Sequence, residues 1–275
     1  MFPGSCVGGQ KKKPPFLHAA RIFYRWKGRQ EAAMEKTDIH SHIIPGIDDG
    51  AKSLEESLAM LAMAAGQGID SLIATPHYSP HYRNLHPELI REGCAHLEEQ
   101  ARASVSPDIR IYPGQEICYE DGILEKLEEG RLLTLADSSY VLIEFSYRTP
   151  YPEMYRSLQR IRLAGYSSVL AHAERYPALR GEEGSLDELV EAGVLIQMNY
   201  GSLEGPWHSG DLRWCRKQIK EERVHFLATD MHGADMRPPR TEKASAWMEK
   251  HLEAEKREAL CRGNAEKLLK NENVL

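Results

Sequence analysis

Two histidines at i and i+2, His40 and His42, precede a Pro45-Gly46 turn that carries Asp48 and Asp49. In an extended strand successive side chains alternate faces, so the two imidazoles point the same way. With one carboxylate, Asp48 or Asp49, returning from the turn, such a group can hold a divalent cation. The pattern recurs near the far end of the chain. Asp230 and His232 follow directly on the apolar run Val224-His225-Phe226-Leu227-Ala228.

Elements that could carry these residues recur along the chain. Apolar, often β-branched runs lie at Thr37–His40, Ser71–Thr75, Ile109–Tyr112, Tyr140–Phe145, Ser168–Ala171, Val194–Met198 and Val224–Ala228. Helical patterns alternate with them. Ser53-Leu54-Glu55-Glu56 opens one as a capping box, which Gly66 and Gly68 close. Others are expected over Pro87–Ala103, Gly122–Glu129, Pro152–Leu163, Ser185–Glu191, Asp211–Glu222 and Thr241–Arg262. Strand followed by helix throughout predicts an α/β fold with a parallel sheet. Seven strands favour a single-domain, TIM-like (β/α)7 barrel over an open sheet.

In such barrels the site lies at the carboxyl ends of the strands. Those ends give His40 and His42, then His77, Glu116, Glu144, His172, and finally Asp230 and His232. The sixth strand ends instead in Gln197-Met198-Asn199-Tyr200, polar but uncharged. Taken singly, Glu144 reads equally as an exposed strand carboxylate and His172 as a hydrogen-bonded core histidine. Gathered in one pocket, four carboxylates and five imidazoles are too costly to bury without compensating cations. They also exceed what one ion accepts, so two or three ions with bridging carboxylates are expected. Mixed imidazole and carboxylate donors without thiolate favour manganese, zinc or iron over magnesium or calcium.

Composition excludes several alternatives. The chain has 275 residues, 41% hydrophobic and 28% charged, as expected of a folded globular protein. Its net charge of −6 understates the acidity of the main body, because residues 1–36 are strongly basic; this argues against a nucleic-acid partner. Five scattered cysteines with no CxxC suit a reducing cytoplasm. No cysteine has an arginine six positions on, and no Walker loop occurs, so thiolate and P-loop phosphate chemistry are both absent. Residues 1–34 lack an apolar stretch of signal or membrane-spanning length. They read as a flexible or mis-started basic extension upstream of Met34, the alternative being an anchor to an anionic membrane. The catalytic domain is expected to span residues 35–275.

The ordered motifs Thr37-Asp38-Ile39-His40-Ser41-His42, Asp48-Asp49-Gly50, Ala74-Thr75-Pro76-His77, Pro113-Gly114-Gln115-Glu116, Leu142-Ile143-Glu144-Phe145, Ala171-His172-Ala173-Glu174-Arg175-Tyr176 and Thr229-Asp230-Met231-His232 resemble those of the polymerase-and-histidinol-phosphatase (PHP) superfamily. Within it they are most similar to the bacterial manganese-dependent tyrosine-protein phosphatases of capsule and exopolysaccharide synthesis. The resemblance implies a distorted seven-stranded barrel holding Mn2+, with zinc or iron as substitutes. It implies His40, His42, Glu116 and Asp230 around the first ion; Glu116, Glu144 and His172 around the second; Asp49, His77 and His232 around the third. The choice of Asp49 over Asp48 comes from the family register alone. Arg175 and Arg237 match positions that grip the phosphate.

The reaction expected is hydrolysis of phosphotyrosine by a metal-bridging hydroxide, with no phosphoenzyme. The partner implied is a bacterial tyrosine kinase of polysaccharide synthesis. Membrane contact is expected only through that kinase or through the basic extension. The substrate loop Tyr78–Asn84 carries a spare histidine, His81, read as exposed. Two other readings stand beside this one: a small-molecule phosphomonoesterase such as a histidinol phosphatase, and a non-catalytic metal-stabilised regulator. Oligomeric state, homo-oligomer included, and the identity of any general acid are left open.

Overall fold

The computed structural model of the chain describes residues 34–82, 85–181, 184–206 and 208–275. The basic extension up to residue 33 lies outside the described residues, as do Arg83 and Asn84 of the substrate loop. The first half runs β1 (Lys36–Ser41), α1 (Leu54–Ala65), β2 (Ile69–Ala74), β3 (His77–Tyr78), α2 (Pro87–Ser104), β4 (Arg110–Pro113), β5 (Glu116–Cys118) and α3 (Ile123–Glu128). The second half continues β6 (Tyr140–Glu144), α4 (Tyr151–Leu163), β7 (Ser167–Leu170), α5 (Pro177–Gly181), α6 (Ser185–Glu191) and β8 (Leu195–Asn199). It closes with α7 (Gly210–Lys220), β9 (Phe226–Ala228), α8 (Glu242–His251), α9 (Ala254–Glu258) and α10 (Asn264–Leu269).

All seven expected strands form, and every ladder is parallel. They do not make one continuous seven-strand ladder. The second and third runs each break and resume, so the sheet divides into β1-β2-β4 and β3-β5-β6-β7-β8-β9. Pro76 has no N–H to offer at the first break. Backbone bonds nevertheless span it: Thr75 N donates to Ser41 O at 2.8 Å and Glu116 N to Pro76 O at 3.3 Å. At the other edge, Asp230 N donates to His40 O and His42 N to Met231 O, each at 2.9 Å. The first strand is thereby bonded to the segment just after the last.

Ile39, Ile73, Leu142, Val169, Leu195 and Phe226, from six strands, pack in one cluster, so the sheet curls around its own apolar face. Larger clusters seat the helices on the outer face. Each such fully buried side chain contributes about 1.5–3 kcal/mol. The result is an α/β fold with a curled parallel sheet. No helix among the described residues is long and apolar enough to cross a membrane.

Three local expectations need amendment. Ser53 accepts from Glu56 N as a capping residue should, but the Glu56 carboxylate bonds Lys52 N at 3.0 Å instead of Ser53 N, so only half of the capping box forms. The helix expected over Thr241–Arg262 breaks where Leu252 and Glu253 are extended, then resumes and passes through one π turn at Ala259–Gly263. The short α5 was not expected; five residues are too few to show a period.

Candidate metal centre

β1 delivers His40 and His42, and the chain then folds back on itself. Gly46 N donates to Ala51 O at 2.7 Å and Ala51 N to His42 O at 3.1 Å. Gly46 supplies a left-handed φ of 75° in this turn. Gly50 is needed for space: a Cβ there would lie 2.3 Å from the His42 carbonyl oxygen. The turn thus brings both aspartates over β1. His77 and Glu116 open β3 and β5, and Glu144 ends β6. His172 and Asp230 follow β7 and β9 in left-handed backbone, with φ of 32° and 51°. That conformation is uncommon for non-glycine residues and concentrates at functional sites.

These residues converge. Glu116 is the hub: its Oε1 lies 2.8 Å from His172 Nε2 and 3.3 Å from His40 Nε2. Its Oε2 lies 2.9 Å from His77 Nδ1 and 3.4 Å from His42 Nε2. Asp230 Oδ1 stands 3.5 Å from His40 Nε2, 3.6 Å from His42 Nε2 and 3.5 Å from His232 Nδ1. Glu144 reaches His77 at 3.5 Å and His172 at 3.8 Å. Asp49 Oδ1 faces His77 Nε2 at 3.3 Å and His232 Nε2 at 3.7 Å. All nine donors named from the sequence are therefore brought together.

The donors fit divalent cations. Ligand atoms of seven of them fall into three overlapping groups: His42, Asp49, His77 and His232; His40, His42 and Glu116; His77, Glu116 and Glu144. His232 Nε2 is buried without a hydrogen-bond partner among the described residues, and His77 Nδ1 and Glu116 Oε2, though 2.9 Å apart, have no well-aligned one. Such orphaned polar atoms are costly in a dry interior and are what a coordinated ion satisfies. The grouping differs from the division the resemblance implies: His42 and His77 are each shared between two groups, and Asp230 and His172 fall in none. His77 presents one nitrogen to Asp49 and the other to Glu116 and Glu144, so it stands between two groups.

Several holding residues were missed in the sequence. Asp48, the alternative to Asp49, has a different place: its carboxylate accepts from His42 Nδ1 at 2.7 Å, His77 N at 3.1 Å and Gly50 N at 2.9 Å. Gln197 Oε1 meets His40 Nδ1 at 3.1 Å and accepts from His172 N at 2.7 Å. Asn199 Nδ2 donates to Asp230 Oδ2 at 2.9 Å. Asp38, fully buried, accepts from the backbone of His40 and Thr229 and from the Thr229 hydroxyl, tying β1 to the end of β9. Second partners of this kind fix ring orientation and tautomer.

The electrostatics follow from this packing. Burial opposes protonation of His42, yet the Asp48 carboxylate raises it to about 9; burial likewise opposes ionisation of Asp48, which the His42 charge holds at about 2. Burial opposes a proton on His77 too, but Glu116 and Glu144 lift it to about 12. His232, pressed by burial and then by the charge on His42, falls to about 2. Glu116 stays well below the ordinary carboxylate range despite burial, because imidazoles surround it. The chain alone thus places protons among ionised carboxylates, and divalent cations would displace those protons.

Arg175 Nη2 and Arg237 Nη2 both meet Asp230 Oδ2, at 2.5 and 2.7 Å. Each is partly exposed at the mouth of a cleft lined by Arg175, Ser202, Asp230, Met236, Arg237 and Arg240, among others. The four thiols among the described residues are poor alternatives as nucleophiles. Burial pushes Cys94 and Cys215 up to about 12, and Cys118 and Cys261 to about 11.

Comparison with known proteins points the same way. The model of the family described as capsular polysaccharide synthesis, CpsB/CapC, matches residues 36–270. The tyrosine-protein phosphatase CpsB of Streptococcus pneumoniae is 36% identical over 242 residues, spanning 86% of this chain and 99% of that one. The tyrosine-protein phosphatase YwqE of Bacillus subtilis is 33% identical over 241 residues, spanning 86% of this chain and 92% of that one. A solved structure from a study of YwqE and CpsB, described as unique metal-dependent tyrosine phosphatases, superposes with a TM-score of 0.79 at 30% identity. It covers 87% of this chain and 96% of its own.

Proposed function

This chain belongs to the CpsB/CapC family of capsular polysaccharide synthesis, and from that premise we propose that it is a metal-dependent phosphotyrosine-protein phosphatase. The observation that carries the reading is the convergence of five imidazoles and four carboxylates, with Glu116 and Asp230 at the centre and two guanidiniums at the rim. His40, His42, Asp49, His77, Glu116, Glu144, His172, Asp230 and His232 would hold two or three ions, with Mn2+ the first choice. When bound, such cations lower the pKa of water toward neutrality and draw charge from phosphoryl oxygens. The catalytic unit proposed is residues 35–275, on a sheet that functions as a distorted (β/α)7 barrel.

The protein's own groups do the rest. Arg175 and Arg237 would grip two phosphoryl oxygens and orient the ester beside the donor cluster. Their charge grows in value as the phosphoryl group loosens, so they favour the transition state over the ground state. Asp48 and Gln197 hold His42 and His40 by Nδ1, leaving each Nε2 for the ions. The leaving phenolate, with a pKa about 10, departs without a strong acid. In the cell the substrate proposed is a tyrosine kinase of polysaccharide synthesis, met in the cytoplasm.

The test is metal content and turnover measured together on wild type, His40→Ala and Glu116→Ala, with Mn2+ supplied. A phosphotyrosyl peptide and histidinol phosphate serve as the two substrates. Both variants should lose metal and rate in parallel, and the wild type should prefer the peptide. Full activity in either variant, or preference for histidinol phosphate, defeats the proposal.

A further inference from the structure

The cleft beside Asp230 holds more positive charge than gripping one phosphate requires. Its charged lining is Arg175, Arg237 and Arg240 against the single carboxylate of Asp230, in a chain of net charge −6. Arg175 and Arg237 are both engaged by Asp230 Oδ2. Arg240 is exposed and makes no ion pair or hydrogen bond among the described residues.

Its backbone, by contrast, is held on both sides. Gln67 Nε2 donates to Pro239 O at 2.8 Å, and Gln67 Oε1 accepts from Thr241 N at 2.8 Å and from the Thr241 hydroxyl at 3.0 Å. The preceding loop closes on itself, with His232 N donating to Arg237 O at 3.0 Å. A cation on a fixed backbone with an unengaged head is available to a ligand at a defined place on the rim. In the same cleft Met236 is 87% exposed, and Tyr147, on the loop after β6, is 58% exposed; they are two of five large apolar side chains so exposed among the described residues. Both are near Arg175: Met236 lines the same cleft, and Tyr147 contributes to the electrostatic environment of the Arg175 guanidinium. A polypeptide laid across the rim would find charge and apolar contact together.

We propose that this cleft is a subsite for an acidic residue flanking the phosphotyrosine, and that Arg240 reads its charge. The substrate class is thereby an acidic phosphotyrosyl segment, and the inference rests on the phosphatase reading above. A partly exposed charge pair of this kind is worth a factor of about five. The metal-loaded enzyme would be assayed on phosphotyrosyl peptides flanked by Glu, Gln or Lys, and on p-nitrophenyl phosphate, which has no flanks.

Wild type should favour the Glu-flanked over the Gln-flanked peptide about fivefold in kcat/KM, mostly through KM, and lose that ratio at high salt. Arg240→Ala should bring the ratio near one, Arg240→Glu should invert it toward the Lys-flanked peptide, and Arg240→Lys should keep most of it. Turnover of peptides without discrimination in the wild type, or an unchanged ratio in Arg240→Ala, overturns the subsite alone. Absence of turnover on every phosphotyrosyl peptide and on p-nitrophenyl phosphate overturns the phosphatase reading and the subsite with it.

Discussion

Replacing Asp48 by asparagine separates holding a ligand from being one. Asp48 Oδ2 accepts from His42 Nδ1 and His77 N, and its Oδ1 from Gly50 N. An amide has one acceptor oxygen for these three donors. If that oxygen stays with Gly50, the amide N–H groups face His42 Nδ1 and the His77 N–H. The His42 proton must then move to Nε2, the nitrogen that faces Glu116 and Asp230. If the amide flips, the Gly50 N–H loses its partner and the turn loosens.

In the first case His42 carries a proton where an ion should sit; in the second the turn that seats Asp48 against His42 is weakened. Losses of such outer partners weaken metal affinity about 10- to 100-fold, which is about 1.4–2.8 kcal/mol. Titration of metal-depleted protein with Mn2+ by calorimetry, alongside elemental metal counts, measures both affinity and stoichiometry. Asp48→Asn should bind the same number of ions more weakly, with kcat at saturating Mn2+ within a few-fold of wild type. Asp49→Asn, whose parent carboxylate is half exposed and faces His77 and His232, should lose an ion from the count. A wild-type isotherm for Asp48→Asn refutes the argument. A missing ion in Asp48→Asn with a full count in Asp49→Asn reverses the two roles.

Arg175→Ala and Arg237→Ala should each lower kcat/KM about 100-fold while retaining metal, as expected when one preorganised donor to the developing charge is removed; lysine should recover part of the rate. Gly50→Ala would press a Cβ against His42 backbone and Cβ atoms at 2.3 and 2.6 Å. It should cost about 1–3 kcal/mol in thermal unfolding and weaken Mn2+ binding. His225 is held neutral by burial, its pKa lowered to about 4, and its Nδ1 accepts from Ile196 N. The unfolded chain therefore binds more protons between about 6.5 and 4, so this contribution, about 3 kcal/mol, is present above that window and is lost as pH falls through it. His225→Gln keeps an acceptor without titrating, so the wild-type-minus-variant unfolding free energy should decline from pH 7 to 4. Asp38, which burial raises to about 6, runs the other way in both proteins and cancels in the difference.

Eight of the nine converging residues were legible because charged groups at the ends of apolar runs have few places to go in a parallel sheet; Asp49 is the exception. Gln197 was not. It lies inside β8 between Ile196 and Met198 with no charge to mark it, and only the curl of the sheet brings its amide to His40 and His172. Asp48 and Asp49 are neighbours of the same type, and chemistry alone cannot rank them; the turn buries one carboxylate against His42 and leaves the other half open. Strands β3 and β5, of two and three residues, are too short for any period, so the broken ladder was invisible. The break at Leu252 is likewise set by how the last helices pack, which no capping signal announces.

The contact between β1 and the segment after β9 has a mechanical corollary. His40 and His42 come from near one end of the described chain and Asp230 and His232 from near the other, so an ion shared by them would rivet the two together. Removing it should unfasten a seam as well as silence a catalyst: chelation would lower resistance to heat and to proteases. An ion at a hundred times its dissociation constant would restore about 2.7 kcal/mol. Supply of the divalent cation would then govern how long the protein survives as well as how fast it works.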